Sequence, residues 1–202
     1  MGSRPVVEFV FGLGSRYSYL ASTQLGRLRE KTGCELEWTP ISSVELMTLR
    51  GRSPFEGAPV SGQYDWDYRK SDAQAWADYY GVPFTEPRPM PQDHQLMAIA
   101  CRAADRLGAM VPYIHGLFRA VFDEHREIDP GACIEVASRQ GLDRRAFGSA
   151  LSDPAIRTRV SEDARNCAAR GVFGVPTFLV ADRMFWGNDR LVLLEHYLGK
   201  CG

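Results

Sequence analysis

Ser15 and Ser18 stand three residues apart in FVFGLGSRYSYLA, residues 9–21, where an apolar run meets a Gly-rich turn and then a helical pattern. The start of a helix offers unpaired backbone N–H groups and the positive end of the helix dipole, and both favour an anion. One reading of Ser15 is an N-cap, a position that serine favours. The other is chemical: a hydroxyl here donates a hydrogen bond to a thiolate or an oxyanion brought in from outside. Two cysteines at this spacing would exchange disulfides, which serines cannot do. Ser18 reads as helix-face packing or capping.

Two later stretches carry further candidates. In GVFGVPTF, residues 171–178, Pro176 opens a strand. A cis bond between Val175 and Pro176 would leave the Val175 N–H and C=O free to pair with a passing peptide, although most X-Pro bonds are trans. In FWGNDRL, residues 185–191, Asn188 and Asp189 precede the last helical pattern. They read either as caps or as groups that bind the amino-acid end of a ligand, with the aspartate accepting from an ammonium.

The elements that position these groups follow from periodicity. Val6 to Phe11 reads as a buried strand closed by Gly12 and Gly14. Tyr17, Leu20, Ala21, Leu25 and Leu28 recur at helical spacing until Thr32-Gly33 stops the pattern. CELEWTPI, residues 34–41, alternates as a second strand and completes a β-α-β unit. Residues 50–63 form a Gly, Pro and Ser-rich loop long enough to suggest a functional role. Helical patterns then cover 68–80, 94–107, 112–124, 131–140, 143–151 and 154–170. Pro112 and Pro154 open two of them, and Asp153 caps the last. Short strands over Thr177–Val180 and Arg183–Trp186 enclose a hairpin turn at Ala181-Asp182. A closing helix on Leu191, Leu194 and Leu198 ends at Gly199. This order, β-α-β, helices, then β-β-α, predicts an α/β thioredoxin-like fold with a large all-helical insertion. The thioredoxin-like domain would take residues 1–43 and 172–202, and the insertion 44–171.

A chain of 202 residues with 45% hydrophobic residues can bury a sizeable core without disulfides or metals. A net charge of −1 with mixed signs lacks the basic footprint of a nucleic-acid binder. There is no membrane-length apolar run and no signal-peptide pattern, so a cytoplasmic location is expected. Cys34, Cys101, Cys133, Cys167 and Cys201 are scattered without C-x-x-C, which predicts free thiols. His94, His115, His125 and His196 lack metal-ligand spacing and read as ordinary surface or helix histidines. No metal site is expected.

FVFGLGSRYSYLA, YRKSDAQAWADYYGVP (68–83), RGVFGVPTFLV (170–180) and FWGNDRL together resemble the 2-hydroxychromene-2-carboxylate isomerases, relatives of the kappa-class glutathione transferases. The likeness runs nearly end to end. It implies a glutathione-dependent enzyme that is a homodimer and takes a small aromatic carboxylate as substrate in aromatic catabolism. It places Ser15 on the family's catalytic serine, which holds the glutathione thiolate. Val175 and Pro176 would pair with the cysteinyl unit, and Asn188 and Asp189 would grip the γ-glutamyl end. Lys70 matches a basic position of some members and suggests a substrate carboxylate contact.

The chain departs from the family pattern D-x-x-S-P at two places, with Gly12 for the acid and Arg16 for the proline. Arg16 puts a cation beside Ser15, to lower the pKa of a bound thiol or to engage a substrate carboxylate. The expected reaction opens 2-hydroxychromene-2-carboxylate and gives trans-o-hydroxybenzylidenepyruvate. A kappa-like transferase acting on other electrophiles, and a thioredoxin-like binding protein without catalysis, are the competing expectations.

Overall fold

The computed structural model describes residues 4–51, 65–86 and 93–200. Strands β1 (Val6–Phe11), β2 (Glu35–Pro40), β3 (Thr177–Val180) and β4 (Arg183–Trp186) form one sheet in the order β2-β1-β3-β4. β1 and β2 run parallel with Phe9 opposite Trp38, and β3 lies antiparallel to β1 with Phe178 opposite Phe9. β3 and β4 form an antiparallel hairpin with Thr177 opposite Trp186. A parallel pair needs a crossover, which helix α1 (Arg16–Thr32) supplies.

The near-continuous apolar run of β1 is explained by burial on both faces of the sheet. Val7, Phe9 and Phe11 join the main core with Leu20, Leu25 and Leu28 of α1. Val10 turns the other way, into a cluster with Ile41, Leu46, Ala164 and Cys167. Phe9 stacks on Phe11 and Phe178 at 5.0 and 5.2 Å between ring centres, and meets Trp38 edge-on at 5.1 Å.

Between the two halves of the sheet come α2 (Ser43–Leu49), α3 (Trp66–Tyr80), α4 (His94–Arg106), α5 (Met110–Phe122), α6 (Pro130–Arg139), α7 (Arg144–Leu151) and α8 (Pro154–Ala169). α9 (Leu191–Leu198) closes the chain. The expected order of elements, including the helical insertion, is what the chain adopts. Aspartates cap five of these helices: Asp65, Asp93, Asp129, Asp143 and Asp153 each accept a bond from a first-turn N–H.

Two details differ from the sequence reading. Helix α2 was not anticipated, because seven residues span too few turns to display a period. Ser42 caps it by accepting from Glu45 N at 3.2 Å. Helix α5 starts at Met110, so Pro112 is its third residue and not its first. That position needs no N–H partner either. The loop expected over 50–63 lies, from residue 52 onward, outside the described residues.

One buried charge cluster ties the helices together. Asp163 of α8, 6% exposed, accepts from Arg102 Nε and Nη2 of α4 at 2.9 and 2.6 Å. Arg159, one turn earlier on α8, adds a bond of 2.9 Å. Cys34, Cys101, Cys133 and Cys167 are free and buried. Burial pushes the Cys101 thiol well above its ordinary range, Cys133 to about 11 and Cys167 to about 12. Among the described residues no helix is long and apolar enough to cross a membrane.

Candidate functional site

The turn between β1 and α1 is braced by both serines. Ser15 N donates to Gly12 O at 3.0 Å, and Ser15 Oγ accepts from Ser18 N at 3.2 Å as the N-cap of α1. Ser18 is fully buried, and its Oγ accepts from Gly12 N at 3.4 Å. Ser15 is half-buried. A hydroxyl that accepts one bond keeps its own proton to donate, so capping and chemistry are compatible at this residue.

Val175-Pro176 is cis, as expected, and lies against this turn. A Cβ placed on Gly12 would stand 3.3 Å from Val175 Cγ2 and 3.6 Å from Ser43 Cβ. Among the described residues no backbone hydrogen bond uses the Val175 N–H or carbonyl. The Pro176 carbonyl, by contrast, accepts from Gly187 N at 2.9 Å. That bond carries the chain directly to Asn188 and Asp189. Gly187 has φ 112°, and a Cβ on it would meet Asp189 Oδ1 at 2.5 Å. Only glycine suits that backbone.

The capping expectation for Asn188 and Asp189 is corrected. Residues Asn188–Arg190 form a single 3-10 turn, and neither that turn nor α9 has a side-chain cap hydrogen bond. The chain enters α9 from a tight turn and not from an extended residue, so no cap geometry arises. Asn188, 2% exposed, accepts from Tyr80 Oη at 3.2 Å through Oδ1. Its Nδ2 is buried and has no hydrogen-bond partner among the described residues. A buried amide of this kind costs stability unless something accepts from it. Asp189 beside it is exposed. A cavity of about 730 Å³ opens here, lined by Gln24, Asp72, Trp76, Tyr80, Asn188 and Asp189. It reaches the Asn188-Asp189 end and stops short of Ser15.

The Tyr80 bond is a small, measurable contribution. Tyr80→Phe leaves both ends of the Asn188 amide unpaired, and is expected to lower stability by about 1–2 kcal/mol. The urea midpoint should fall at unchanged slope. An unmoved midpoint would show that the tyrosine hydroxyl leaves this amide indifferent.

Arg16 is held by a carboxylate. Its Nη2 lies 2.6 Å from Glu86 Oε1, with side chains 15% and 24% exposed. Burial lowers the Arg16 pKa and raises that of Glu86, each partner opposing the effect on the other. Tyr17 Oη donates to Asp72 Oδ2 at 2.7 Å, and the Arg69 guanidinium lies 5.5 Å from the Tyr17 ring centre. Burial, with the Asp72 bond adding to it, pushes the Tyr17 phenol up to about 12. Lys70 sits on the exposed face of α3 and pairs with Asp67 at 3.2 Å. Ser15, Val175-Pro176 and Asn188-Asp189 are thus linked through one turn and one backbone bond. Arg16 is adjacent but engaged by Glu86, and Lys70 stands to the side.

Sequence reasoning missed His94 and Ser43. His94 opens α4, as a helix histidine, and is only part-exposed. Its ring packs on the turn: a Cβ on Gly14 would come within 2.5 Å of His94 Cε1 and 3.0 Å of Nδ1. Nδ1 lies 3.1 Å from Ser43 Oγ. Burial lowers the imidazole pKa, with Asp93 opposing. No local spacing pointed to His94; the one available signal was the second glycine of G-L-G, which leaves room for a ring. Phe173 and Trp186, both exposed, also pair at 4.8 Å on the two segments that flank Pro176.

The chain and its fold are similar to known proteins. The DSBA-like thioredoxin domain family matches residues 6–199. The 2-hydroxychromene-2-carboxylate isomerase of Pseudomonas putida is 31% identical over 196 residues, 96% of this chain and 95% of that protein. The enzyme of the same name from Sphingobium xenophagum is 31% identical over 95% of this chain and 97% of its own. A solved 2-hydroxychromene-2-carboxylate isomerase superposes with a TM-score of 0.83 at 31% identity, covering 97% of this chain and 95% of that one. The chain belongs to the DSBA-like thioredoxin domain family and is related over nearly its whole length to 2-hydroxychromene-2-carboxylate isomerases.

Proposed function

We propose that this chain is a glutathione-dependent isomerase that converts 2-hydroxychromene-2-carboxylate to trans-o-hydroxybenzylidenepyruvate in aromatic catabolism, as a cytoplasmic homodimer. Support for the reaction comes from the relatives that carry this activity in their names. The single observation that carries glutathione is the buried Asn188 Nδ2 without a partner, joined by the Gly187–Pro176 bond to the Val175 backbone. An amide donor and an exposed carboxylate suit the α-carboxylate and ammonium of a γ-glutamyl group. A passing peptide suits Val175. These residues fit the tripeptide.

Glutathione, when bound, supplies a thiolate that adds reversibly to an electrophilic carbon and leaves unchanged. The chain's part is to orient and stabilise. Ser15 donates its hydroxyl proton toward the sulfur, and the N-terminus of α1 favours the negative charge. Asn188 and Asp189 fix the far end, which limits the positions open to the sulfur. The Arg16–Glu86 pair and Arg69 set the polarity on the α3 side, where a substrate carboxylate would approach.

Calorimetry with glutathione, followed by turnover of the chromene acid with free thiol counted, tests the reading. Binding together with turnover at constant free thiol is the expected result. Thiol consumed in step with substrate would make the chain a transferase. The absence of glutathione binding at millimolar concentration would overturn the reading.

A further inference from the structure

We propose that His94 is the proton acceptor that converts the bound cofactor's thiol to thiolate, with Ser43 as the residue that positions its ring. The inference rests on the glutathione reading above and goes beyond it. Four segments meet at the β1–α1 turn: Gly12 and Gly14 of the turn itself, Val175 of the cis pair, Ser43 at the start of α2, and His94 at the start of α4. Gly12 is within reach of both Val175 and Ser43, while Gly14 is the floor under the imidazole. The imidazole is therefore packed on the residue that immediately precedes Ser15.

The ring's orientation is fixed from one side. Ser43 Oγ lies 3.1 Å from Nδ1, and a serine hydroxyl donating there leaves Nε2 protonated, whereas one accepting there leaves Nε2 with its lone pair. The second arrangement makes Nε2 the base. The acceptance step is simple: the S–H bond breaks, its electron pair stays on sulfur, and the proton forms an N–H bond at Nε2. The imidazolium gives this proton to the ring oxygen as the C–O bond opens, and the 2-hydroxyl proton returns to Nε2 as the C2 carbonyl forms. Nε2 hands it back to sulfur once the C–S bond has broken, so no proton is gained or lost over the cycle.

The charge environment allows it. The charged residue acting on His94 is Asp93, the N-cap of its own helix. Among the described residues, the neighbours recorded against it are Gly14 and Ser43, both uncharged, with Glu45 two positions further along α2. Arg16, two residues beyond Gly14, is paired with Glu86. Burial disfavours the imidazolium in the resting site, the direction that suits a base.

The test uses the full chain and glutathione, with two readouts. In the first, the imidazole of His94 is titrated by NMR. Its midpoint is expected to rise on adding glutathione, because an imidazolium beside a thiolate is stabilised. In the second, the ultraviolet absorbance of the bound thiolate is titrated in the native chain and in His94→Gln. The variant's thiolate midpoint should move up by about 1 pH unit or more, with turnover near pH 7 falling about 10²-fold. Ser43→Ala, which leaves the imidazole in place, should give a smaller shift in the same direction.

Unmoved midpoints in His94→Gln and an unmoved His94 resonance would overturn the proposal while native glutathione binding kept the functional reading intact. Failure of the native chain to bind glutathione would overturn both. If His94→Gln does not fold, the Ser43→Ala thiolate titration and the native NMR titration decide alone.

Discussion

Ser15→Ala should lower turnover of the chromene acid by about 10²–10³-fold, the loss usual for removing one well-placed donor to a developing or resting anion. Ser15 is also the N-cap of α1, so part of the loss in this variant is structural. Losing a serine cap costs about 1 kcal/mol of stability, which for a chain of this size lowers the melting temperature by about 2–4 °C. Ser15→Asp separates the two roles. Aspartate caps as well as serine, so stability should be kept. It places a negative charge where the thiolate should lie, so activity should fall at least as far as in the alanine variant. The thiolate absorbance of bound glutathione should shift to higher pH in both variants. Turnover within about threefold of native in Ser15→Ala, with the thiolate midpoint unmoved, would remove Ser15 from the chemistry and leave it as a cap.

Asp163→Ala should give the largest loss of stability, about 3–5 kcal/mol. Arg102 keeps a bond of 3.2 Å to Asp105 but loses two bonds to Asp163, and its side chain is only 13% exposed. A buried cation without its partner is far more costly than the pair itself is favourable. The melting temperature should fall by about 6–20 °C, using the usual conversion for chains of this length. The double variant Arg102→Met with Asp163→Leu should recover most of the loss, since it replaces both charges with apolar groups of similar volume. A double variant no better than the single one would show that the cluster is needed for packing geometry and not for charge balance. The effect should extend to the site, because α4 begins at His94 and α8 leads into Val175-Pro176.

What the sequence made legible was whatever depends on neighbours along the chain. The apolar run of Val6 to Phe11, the helical period of α1, the serine cap and the β3–β4 hairpin are local, and each appears where expected. The cis Val175-Pro176 bond was legible from a resemblance, since no local rule demands it. Three features lay beyond reach for stated physical reasons. His94 is 79 residues from Ser15 in sequence and reaches the turn only because α4 packs beside it. Glu86, which claims Arg16, follows α3 by a short irregular stretch with no period to read. Asn188 and Asp189 sit where caps usually stand, yet the hydrogen bond from Gly187 to Pro176 turns them into a 3-10 segment and leaves the asparagine amide unspent.

The buried cysteines bear on the proposed use of glutathione. A protein that handles glutathione meets its oxidised form as well, and any exposed thiolate of its own would be captured in a mixed disulfide. Cys101, Cys133 and Cys167 are withheld twice over, by inaccessibility and by burial that keeps them protonated far above neutral pH. Under the proposed function, the sulfur that reacts at Ser15 is then the one that arrives with glutathione, and these three thiols of the host are chemically silent toward it.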